Sequence, residues 1–146
     1  MTTQVKRFRV AVYGVLIEQG KVLLATTRIP SGTVTNFPGG GLELGEAPIN
    51  AVAREFTEET GLTVEIEELL FSSRGFHQNP DYPDEQLIHI FYKVRRRGGE
   101  FIPHGNNDDV QDVGFVAPSE LSQKRIFDVD LEFLHSKVFQ DLIAAT

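Results

Sequence analysis

Several residue types and patterns are missing from this chain of 146 residues. It contains no cysteine, which excludes a disulfide framework and thiolate chemistry. No apolar run is long enough to span a membrane, and the N-terminal sequence MTTQVKRFRV lacks the apolar core of a signal peptide. We therefore expect a cytoplasmic protein with no membrane partner.

Positive charge is also scarce, since the formal net charge is −7. An acidic protein is a poor generic binder of nucleic acid, because attraction to phosphates supplies most non-specific affinity. We therefore expect no nucleic-acid partner. A ligand that carries phosphates would need a site where the electrostatic potential of the protein is positive instead of negative. Divalent cations held by carboxylates could provide such a site.

The composition that remains is ordinary for a globular protein. Hydrophobic residues make up 40% and charged residues 24% of the chain. The length suits one domain over residues 1–146 with a real core. We find no internal repeat, low-complexity tract or linker that indicates a second domain.

A helix is predicted between Ala47 and Gly61. Pro48 suits the first helical turn, where a missing N–H matters little. Gly61 suits the left-handed position just past the last turn. Apolar residues recur between them at three- and four-residue steps and predict one stripe facing a core: Ile49, Val52, Ala53 and Phe56.

Three glutamates are expected to lie away from this stripe: Glu55, Glu58 and Glu59. Residues three and four apart on a helix are neighbours, with Cβ atoms about 5–6 Å apart. These anions repel one another, and the helix dipole disfavours them near the C-terminal end. Grouped oxygen ligands of this kind suit Mg²⁺ or Mn²⁺. The alternative is an ordinary solvated acidic face with Arg54 as an ion-pair partner. The sequence FPGGG just before the helix favours a metal site, because a glycine-rich turn brings main chain close to a ligand.

The stretch at 40–62 resembles the signature box of the Nudix hydrolases. That pattern is Gly, five residues, Glu, seven residues, Arg-Glu, a bulky apolar residue, any residue, Glu-Glu, any residue, Gly and an apolar residue. Its fixed positions fall on Gly40, Glu46, Arg54, Glu55, Phe56, Glu58, Glu59, Gly61 and Leu62. So many fixed positions in a single span make a strong signal. One mild departure is the aromatic Phe56, where the family usually has an aliphatic residue.

The resemblance implies an α/β fold, the Nudix-type α/β/α sandwich with a mixed β-sheet. It also implies hydrolysis of a nucleoside diphosphate linked to another group, X. Glu55, Glu58 and Glu59 would bind the metal, with the Gly39 carbonyl as a further ligand. Arg54 and Glu46 would hold these ligands in place. The general base is either Glu58 or one of three acidic residues in the polar loop at 104–112, namely Asp108, Asp109 and Asp112.

Four further residues are predicted to contact the substrate. Arg28, at a strand end where relatives are often basic, would lie near a phosphate. Phe37 would pack against a base or sugar, since Thr35 stands where the family often has tryptophan. His77 and Tyr82 would stack on or hydrogen-bond a nucleoside. The alternatives are structural: a surface charge for Arg28, a core position for Phe37 and a rigid exposed loop for the other two.

The rest of the chain reads mainly as strands. Predicted strands cover residues 8–17, 22–28, 63–66, 69–71, 86–97 and 113–117. A hairpin turn is predicted at 19–20, a loop at 29–35, a substrate loop at 76–85 and a final helix at 129–144. The strand at 86–97 has apolar residues on both faces, which predicts a central place in a sheet.

The substrate predicted here is of the ADP-ribose or nucleotide-sugar type. One alternative is a sanitising nucleoside triphosphate pyrophosphatase. Another is a Nudix-like module that senses a nucleotide without cleaving it, although intact Glu55, Glu58 and Glu59 argue against a pure sensor. The resemblance also allows for a homodimer, since many relatives are dimers.

Overall fold

A computed structural model describes residues 4–106 and 108–146 of the chain, so Asn107 of the predicted polar loop lies outside the described residues. No helix in the described part is long and apolar enough to cross a membrane. The strands are β1 (Arg7–Val15), β2 (Ile17–Glu18), β3 (Lys21–Ile29), β4 (Gly32–Asn36), β5 (Gly39–Gly41), β6 (Leu62–Ser72), β7 (Glu85–Gly99) and β8 (Val110–Val116). The helices are α1 (Pro48–Thr60), a 3₁₀ helix (Pro118–Gln123), α2 (Asp128–Leu134) and α3 (Lys137–Ala144).

The described strands form two sheets. The first has the order β5-β1-β7-β6, with β1 parallel to β7 and the other neighbours antiparallel. The second is antiparallel, with β3 pairing with β2, β4 and β8. The predicted α/β architecture with a mixed sheet is therefore confirmed, as is the central place of β7.

Helices cover both faces of the mixed sheet. Successive residues of a strand point to opposite faces, so Val12 and Tyr13 of β1 enter different cores. Val12 packs in a cluster with Phe56 of α1. Tyr13 packs in the other cluster with Phe91 and with Phe133 of α2. The sheet thus lies between α1 on one side and α2 with α3 on the other, which gives the three layers of the sandwich.

Helix α1 has the predicted ends but a different buried face. Pro48 opens it, and Gly61 follows it with φ 80°, the left-handed geometry that favours glycine. The prediction that Ile49 faces the core is wrong, because this side chain is 50% exposed. The prediction that Glu59 lies away from the apolar stripe is also wrong, because Glu59 is 5% exposed. Its position three residues after the buried Phe56 places it on the inner side of the helix.

Three other boundary predictions are corrected by the structure. The predicted loop at 29–35 contains β4, which forms a hairpin with β3 because its β-branched residues continue the antiparallel ladder. The first hairpin turn is present at 19–20, but β1 crosses to the mixed sheet and only β2 pairs with β3 there. The final helix is interrupted between α2 and α3, where the Ser136 hydroxyl accepts from the Phe139 N–H as an N-cap.

Candidate active site

A polar cavity of about 340 Å³ opens beside the glycine turn and the end of α1. Its lining combines arginines, carboxylates and aromatic rings from distant parts of the chain. The basic members are Arg7, Arg9 and Arg28; the acidic members are Glu59, Asp81, Glu85, Asp109 and Asp130; and the ring-bearing members are Tyr13, Tyr82, His89 and Phe127. The size and polarity suit a charged small molecule.

The glycine turn reaches the cavity because its backbone passes very close to β1. Gly39 has φ 145°, and a Cβ there would lie 2.1 Å from the Val12 carbonyl oxygen. Only glycine fits this position. At Gly40 a Cβ would lie 3.5 Å from the Glu55 carboxyl group, so the turn also contacts the carboxylates of α1. The main chain of the turn and Glu59 both line the cavity.

Glu59 is a buried carboxyl group with a strongly perturbed titration. Loss of hydration is the main cause that raises its pKa to about 10. A hydrogen bond with Glu55, the charge of Glu55 and the charge of Asp109 raise it further, while a backbone hydrogen bond from Gly39 opposes them. Glu59 therefore keeps its proton at neutral pH in the metal-free protein. Perturbed carboxyl groups in a cavity are typical of functional sites.

Arg54 organises the outer carboxylates. Its guanidinium donates to Glu46 Oε2 at 2.9 and 3.1 Å from Nη2 and Nε, and Nη1 lies 3.3 Å from both Glu55 Oε1 and Glu58 Oε2. The Glu58 side chain is 55% exposed, against 23% for Glu55. Arg54 therefore ties Glu46, Glu55 and Glu58 together at the protein surface.

The three glutamates predicted as metal ligands do not form one cluster. Glu55 and Glu59 are hydrogen-bonded to each other, whereas Glu58 extends toward solvent and Arg54. Across residues 4–106 and 108–146, no three His, Asp or Glu side chains already converge on a position that could hold a metal ion. The metal site stays a prediction, and Glu55, Glu59 and Gly39 are its best-placed members.

The structure brings only some of the predicted substrate contacts to the cavity. Arg28 and Tyr82 line it. Phe37 does not, because it is 1% exposed and packs edge-on against Phe91 and Phe133 in the core. The core alternative for Phe37 is therefore the observed one.

His77 is also held away from this cavity. Its Nε2 lies 2.6 Å from Glu132 Oε1, and it lines a separate cavity with Phe76 and Phe127. The same carboxylate accepts from the backbone N–H of Gly75 at 3.0 Å. His77 thus belongs to a contact that fixes the loop after β6 to α2.

Among the three aspartates considered as base, Asp109 is the one that lines the cavity. Asp108 is an exposed loop residue, and its backbone N–H donates to the Asn106 side chain. Asp112 is exposed within β8 and pairs with Thr26. Asp109 is also exposed and ends the loop before β8, where its carboxylate accepts from the Asn106 side-chain amide at 3.1 Å and its charge raises the pKa of Glu59.

Several cavity residues were not predicted from the sequence, among them Arg9, Tyr13, His89 and Asp130. A weak signal was available for Arg9 and Tyr13, which alternate on one face of a strand. His89 stood out only as a polar residue inside an apolar strand. Nothing in the sequence pairs His89 with Asp130, because they lie on separate elements that meet only when α2 packs on β7.

Comparison with known proteins agrees with the signature motif. Residues 5–137 match the family model described as the NUDIX domain. The chain is 32% identical over 134 residues to an ADP-ribose pyrophosphatase of Methanocaldococcus jannaschii, covering 90% of this chain and 71% of that protein. It is 33% identical over 98 residues to an 8-oxo-dGTP diphosphatase of Escherichia coli K12, covering 65% of this chain and 71% of that protein.

The same fold occurs in a solved structure with little sequence similarity. The solution structure of the Escherichia coli ORF135 protein superposes with a TM-score of 0.72 at 22% identity, covering 95% of this chain and 93% of the other. At this level of identity the likeness establishes the fold alone.

Proposed function

The chain belongs to the NUDIX family of pyrophosphohydrolases, and we propose that it cleaves the pyrophosphate bond of a nucleoside diphosphate linked to a second group. The favoured substrate is of the ADP-ribose or nucleotide-sugar type. This preference is supported by the similarity to an ADP-ribose pyrophosphatase, which extends over 90% of the chain.

The observation that carries the proposal is the presence of two uncompensated arginines in an acidic protein, inside the cavity that holds Glu59. Neither Arg9 nor Arg28 forms an ion pair with a described Asp or Glu. With its amide oxygen turned toward Arg28, Gln111 accepts from Nη2 and Nε at 3.0 and 3.1 Å. Guanidinium groups free of carboxylates are suited to phosphate oxygens.

The carboxyl pair at the other side of the cavity fits a divalent cation. Its donors are all oxygens: Glu55, Glu59 and the Gly39 carbonyl, with Glu58 available if it leaves Arg54. Hard oxygen donors suit Mg²⁺ or Mn²⁺. When bound, the cation neutralises the diphosphate charge that otherwise repels an attacking water.

The protein groups then have separate tasks. Arg9 and Arg28 hold the phosphates, and Arg54 keeps Glu55 oriented through its hydrogen bonds to Glu46 and Glu55. Asp109 is our assignment for the general base, because it lines the cavity near Glu59. Tyr82 at the rim, 49% exposed, offers a ring for the nucleoside.

One alternative is supported by a specific comparison. The similarity to an 8-oxo-dGTP diphosphatase favours nucleoside triphosphates as the competing substrate class. A non-catalytic sensor is disfavoured by the buried Glu59, since burying a carboxyl group lowers stability and nucleotide binding alone does not require it.

A substrate panel with Mg²⁺ or Mn²⁺ tests the proposal. We expect ADP-ribose or UDP-glucose to be cleaved to a nucleoside monophosphate with a higher kcat/KM than dGTP, 8-oxo-dGTP or a dinucleoside polyphosphate. Faster release of pyrophosphate from a triphosphate would establish the alternative. Nucleotide binding without turnover in either metal would establish a sensor.

Two substitutions test the residue assignments. Glu59→Gln is expected to lower kcat by about two or more orders of magnitude, because glutamine cannot supply the carboxylate oxygen that a bound metal ion would require. Asp109→Asn is expected to lower kcat by at least about 100-fold with little change in KM. Glu68→Gln, at an exposed site on β6, is the matched control. A near-normal kcat in Asp109→Asn would reject the assignment of the base.

A further inference from the structure

A second buried titratable pair lines the cavity and has no task in the mechanism above. His89 of β7 is 3% exposed and Asp130 of α2 is 2% exposed. Their side chains meet with 2.7 Å between His89 Nδ1 and Asp130 Oδ1. Both residues border the cavity that also contains Glu59 and Arg28.

The other nitrogen of this imidazole is the unusual feature. His89 Nε2 is buried and has no hydrogen-bond partner among the described residues. Leaving a buried polar atom unpaired costs about 1–3 kcal/mol. A contact that only joined β7 to α2 would use Nδ1 alone. An apolar side chain at position 89 would avoid the free-energy cost of burying Nε2 without a partner. A buried nitrogen without a partner in a residue that lines this cavity therefore points to a ligand that pairs with it there.

The contact with Asp130 determines whether His89 Nε2 can donate or accept a hydrogen bond. A carboxylate without a proton can only accept, so a neutral imidazole that faces one carries its hydrogen on Nδ1. In the neutral imidazole the hydrogen is then absent from Nε2, which presents a lone pair. The orientation of the ring is further fixed by Tyr13, whose ring centroid lies 4.8 Å away.

The surroundings indicate the chemistry of the ligand group. A phosphate beside His89 would also face the Asp130 carboxylate, and like charges in a buried setting repel strongly. A neutral group that donates hydrogen bonds would be accepted by Nε2. The neighbouring rings of Tyr13 and Phe127 suit the flat, partly apolar body of a nucleoside.

Resting on the function proposed above, we propose that His89 is a specificity-determining residue. Its Nε2 accepts a hydrogen bond from the nucleoside part of the substrate, either from an exocyclic amino group of a purine base or from the ribose 2′-hydroxyl. Asp130 is the positioning residue that fixes the tautomer. A site that pairs with a donor rejects analogues lacking it, because the buried acceptor is then left unpaired.

Binding of four nucleoside monophosphates distinguishes the possible donors without relying on hydrolysis. AMP and IMP differ at the 6-amino group, GMP and IMP differ at the 2-amino group, and AMP and 2′-deoxy-AMP differ at a ribose hydroxyl. For the wild type, titration calorimetry is expected to show at least one of these three pairs differing by about tenfold in Kd, or about 1.4 kcal/mol. The donor is identified by the pair in which the nucleotide with the amino group or the hydroxyl binds more tightly.

Substitutions at His89 and Asp130 test whether this pair recognises the nucleoside or only joins β7 to α2. In His89→Phe we expect the preferred pair to differ by less than about twofold, because the acceptor is gone. In Asp130→Asn the amide can donate to Nδ1, so the hydrogen moves to Nε2 and the preference is lost. His104→Phe, at an exposed loop position, should keep the wild-type preference. Should His89→Phe fail to fold, Asp130→Asn remains, with ¹⁵N NMR of the ring reporting hydrogen on Nδ1 in the wild type and on Nε2 in the variant.

Three results would overturn the inference. They are equal binding of all four nucleotides by the wild type, a preference that survives unchanged in Asp130→Asn, and a failure of all four to bind at millimolar concentration. Hydrolysis of the pyrophosphate panel is measured separately. A wild type that cleaves ADP-ribose without any nucleoside preference would reject the role of His89 and leave the proposed function standing.

Discussion

Replacing Glu59 with glutamine should remove a pH dependence from the stability of the metal-free protein. Glu59 is 5% exposed, and its pKa is raised from 4.5 to about 10, first by loss of hydration and then by Glu55. Below pH 4.5 the carboxyl group is protonated in the folded and unfolded states. Above it the unfolded chain releases the proton while the folded protein keeps it, so stability falls as the pH rises toward 10.

The size of the effect follows from the pKa difference. Each pH unit between the two pKa values costs about 1.4 kcal/mol of unfolding free energy. From pH 4.5 to pH 7 the Glu59 contribution therefore falls by about 3 kcal/mol. That is a large part of the roughly 5–15 kcal/mol that stabilises a typical domain.

Glutamine imitates the protonated acid in shape and can donate its amide hydrogen to Glu55. The folded variant therefore keeps the local hydrogen bond without holding a titratable proton. Urea denaturation from pH 5 to pH 9 in the presence of a chelator measures the effect, with Glu68→Gln as the exposed control. The difference in unfolding free energy between Glu59→Gln and the wild type should shift by about 2–3 kcal/mol in favour of the variant between pH 5 and pH 7.

The reasoning is refuted if the curves for wild type and Glu59→Gln run parallel across this range. Parallel curves would mean that Glu59 titrates alike in both states and that its burial is relieved in solution. An equal change in Glu68→Gln would also refute it, because the effect would then come from general charge rather than from burial.

Three further outcomes are expected from other positions. Gly39→Ala should lower the unfolding free energy by about 2–5 kcal/mol in urea denaturation, because its Cβ would meet a main-chain oxygen of β1 at 2.1 Å. Gly98→Ala is the control, because a Cβ there meets nothing within 4 Å. A loss in Gly39→Ala no larger than the loss in Gly98→Ala would contradict the close approach. Phe37→Ala should cost about 3–5 kcal/mol through the cavity it leaves while KM stays unchanged, and a raised KM in a stable variant would instead place Phe37 at the substrate. Burial raises the pKa of Glu132, but the hydrogen bonds from His77 and two backbone amides outweigh burial and lower this pKa overall. The ionised Glu132 therefore stabilises the protein at pH values above its unfolded-state pKa, and this stabilisation is lost as the pH falls. Glu132→Gln should accordingly lose about 1–2 kcal/mol at pH 7 and less at pH 4, with faster amide hydrogen exchange at residues 74 and 75; equal losses at both pH values would speak against the ionised contact.

Much of the site's first half was predictable because its information is local. The ends of α1 follow from Pro48 and Gly61, and the four-residue spacing of Arg54 and Glu58 places them on adjacent helical turns. The glycine turn precedes the helix directly in the sequence. Such features depend on backbone geometry within a few residues, so a single sequence contains them.

Helix periodicity was less informative about which side faces inward. Ile49 was expected inside and lies outside, whereas Glu59 was expected outside and is buried. Both results depend on where β6, β5 and β1 pack against α1. A carboxyl group can occupy the edge of a buried face when it has a hydrogen-bond partner there, as Glu59 has in Glu55. The periodicity of apolar residues alone does not show which neighbouring elements pack against α1.

The sequence by itself determined the helix, its carboxylates, the glycine turn and the family to which they belong. Only the tertiary structure decided that Arg9, Arg28, His89 and Asp130 surround one cavity with Glu59. These residues come from β1, β3, β7, α2 and α1, and their meeting depends on a parallel pairing of β1 with β7 and on the packing of α2 against the sheet. Contacts of that kind are fixed by burial and strand pairing over the whole chain, which no local spacing encodes.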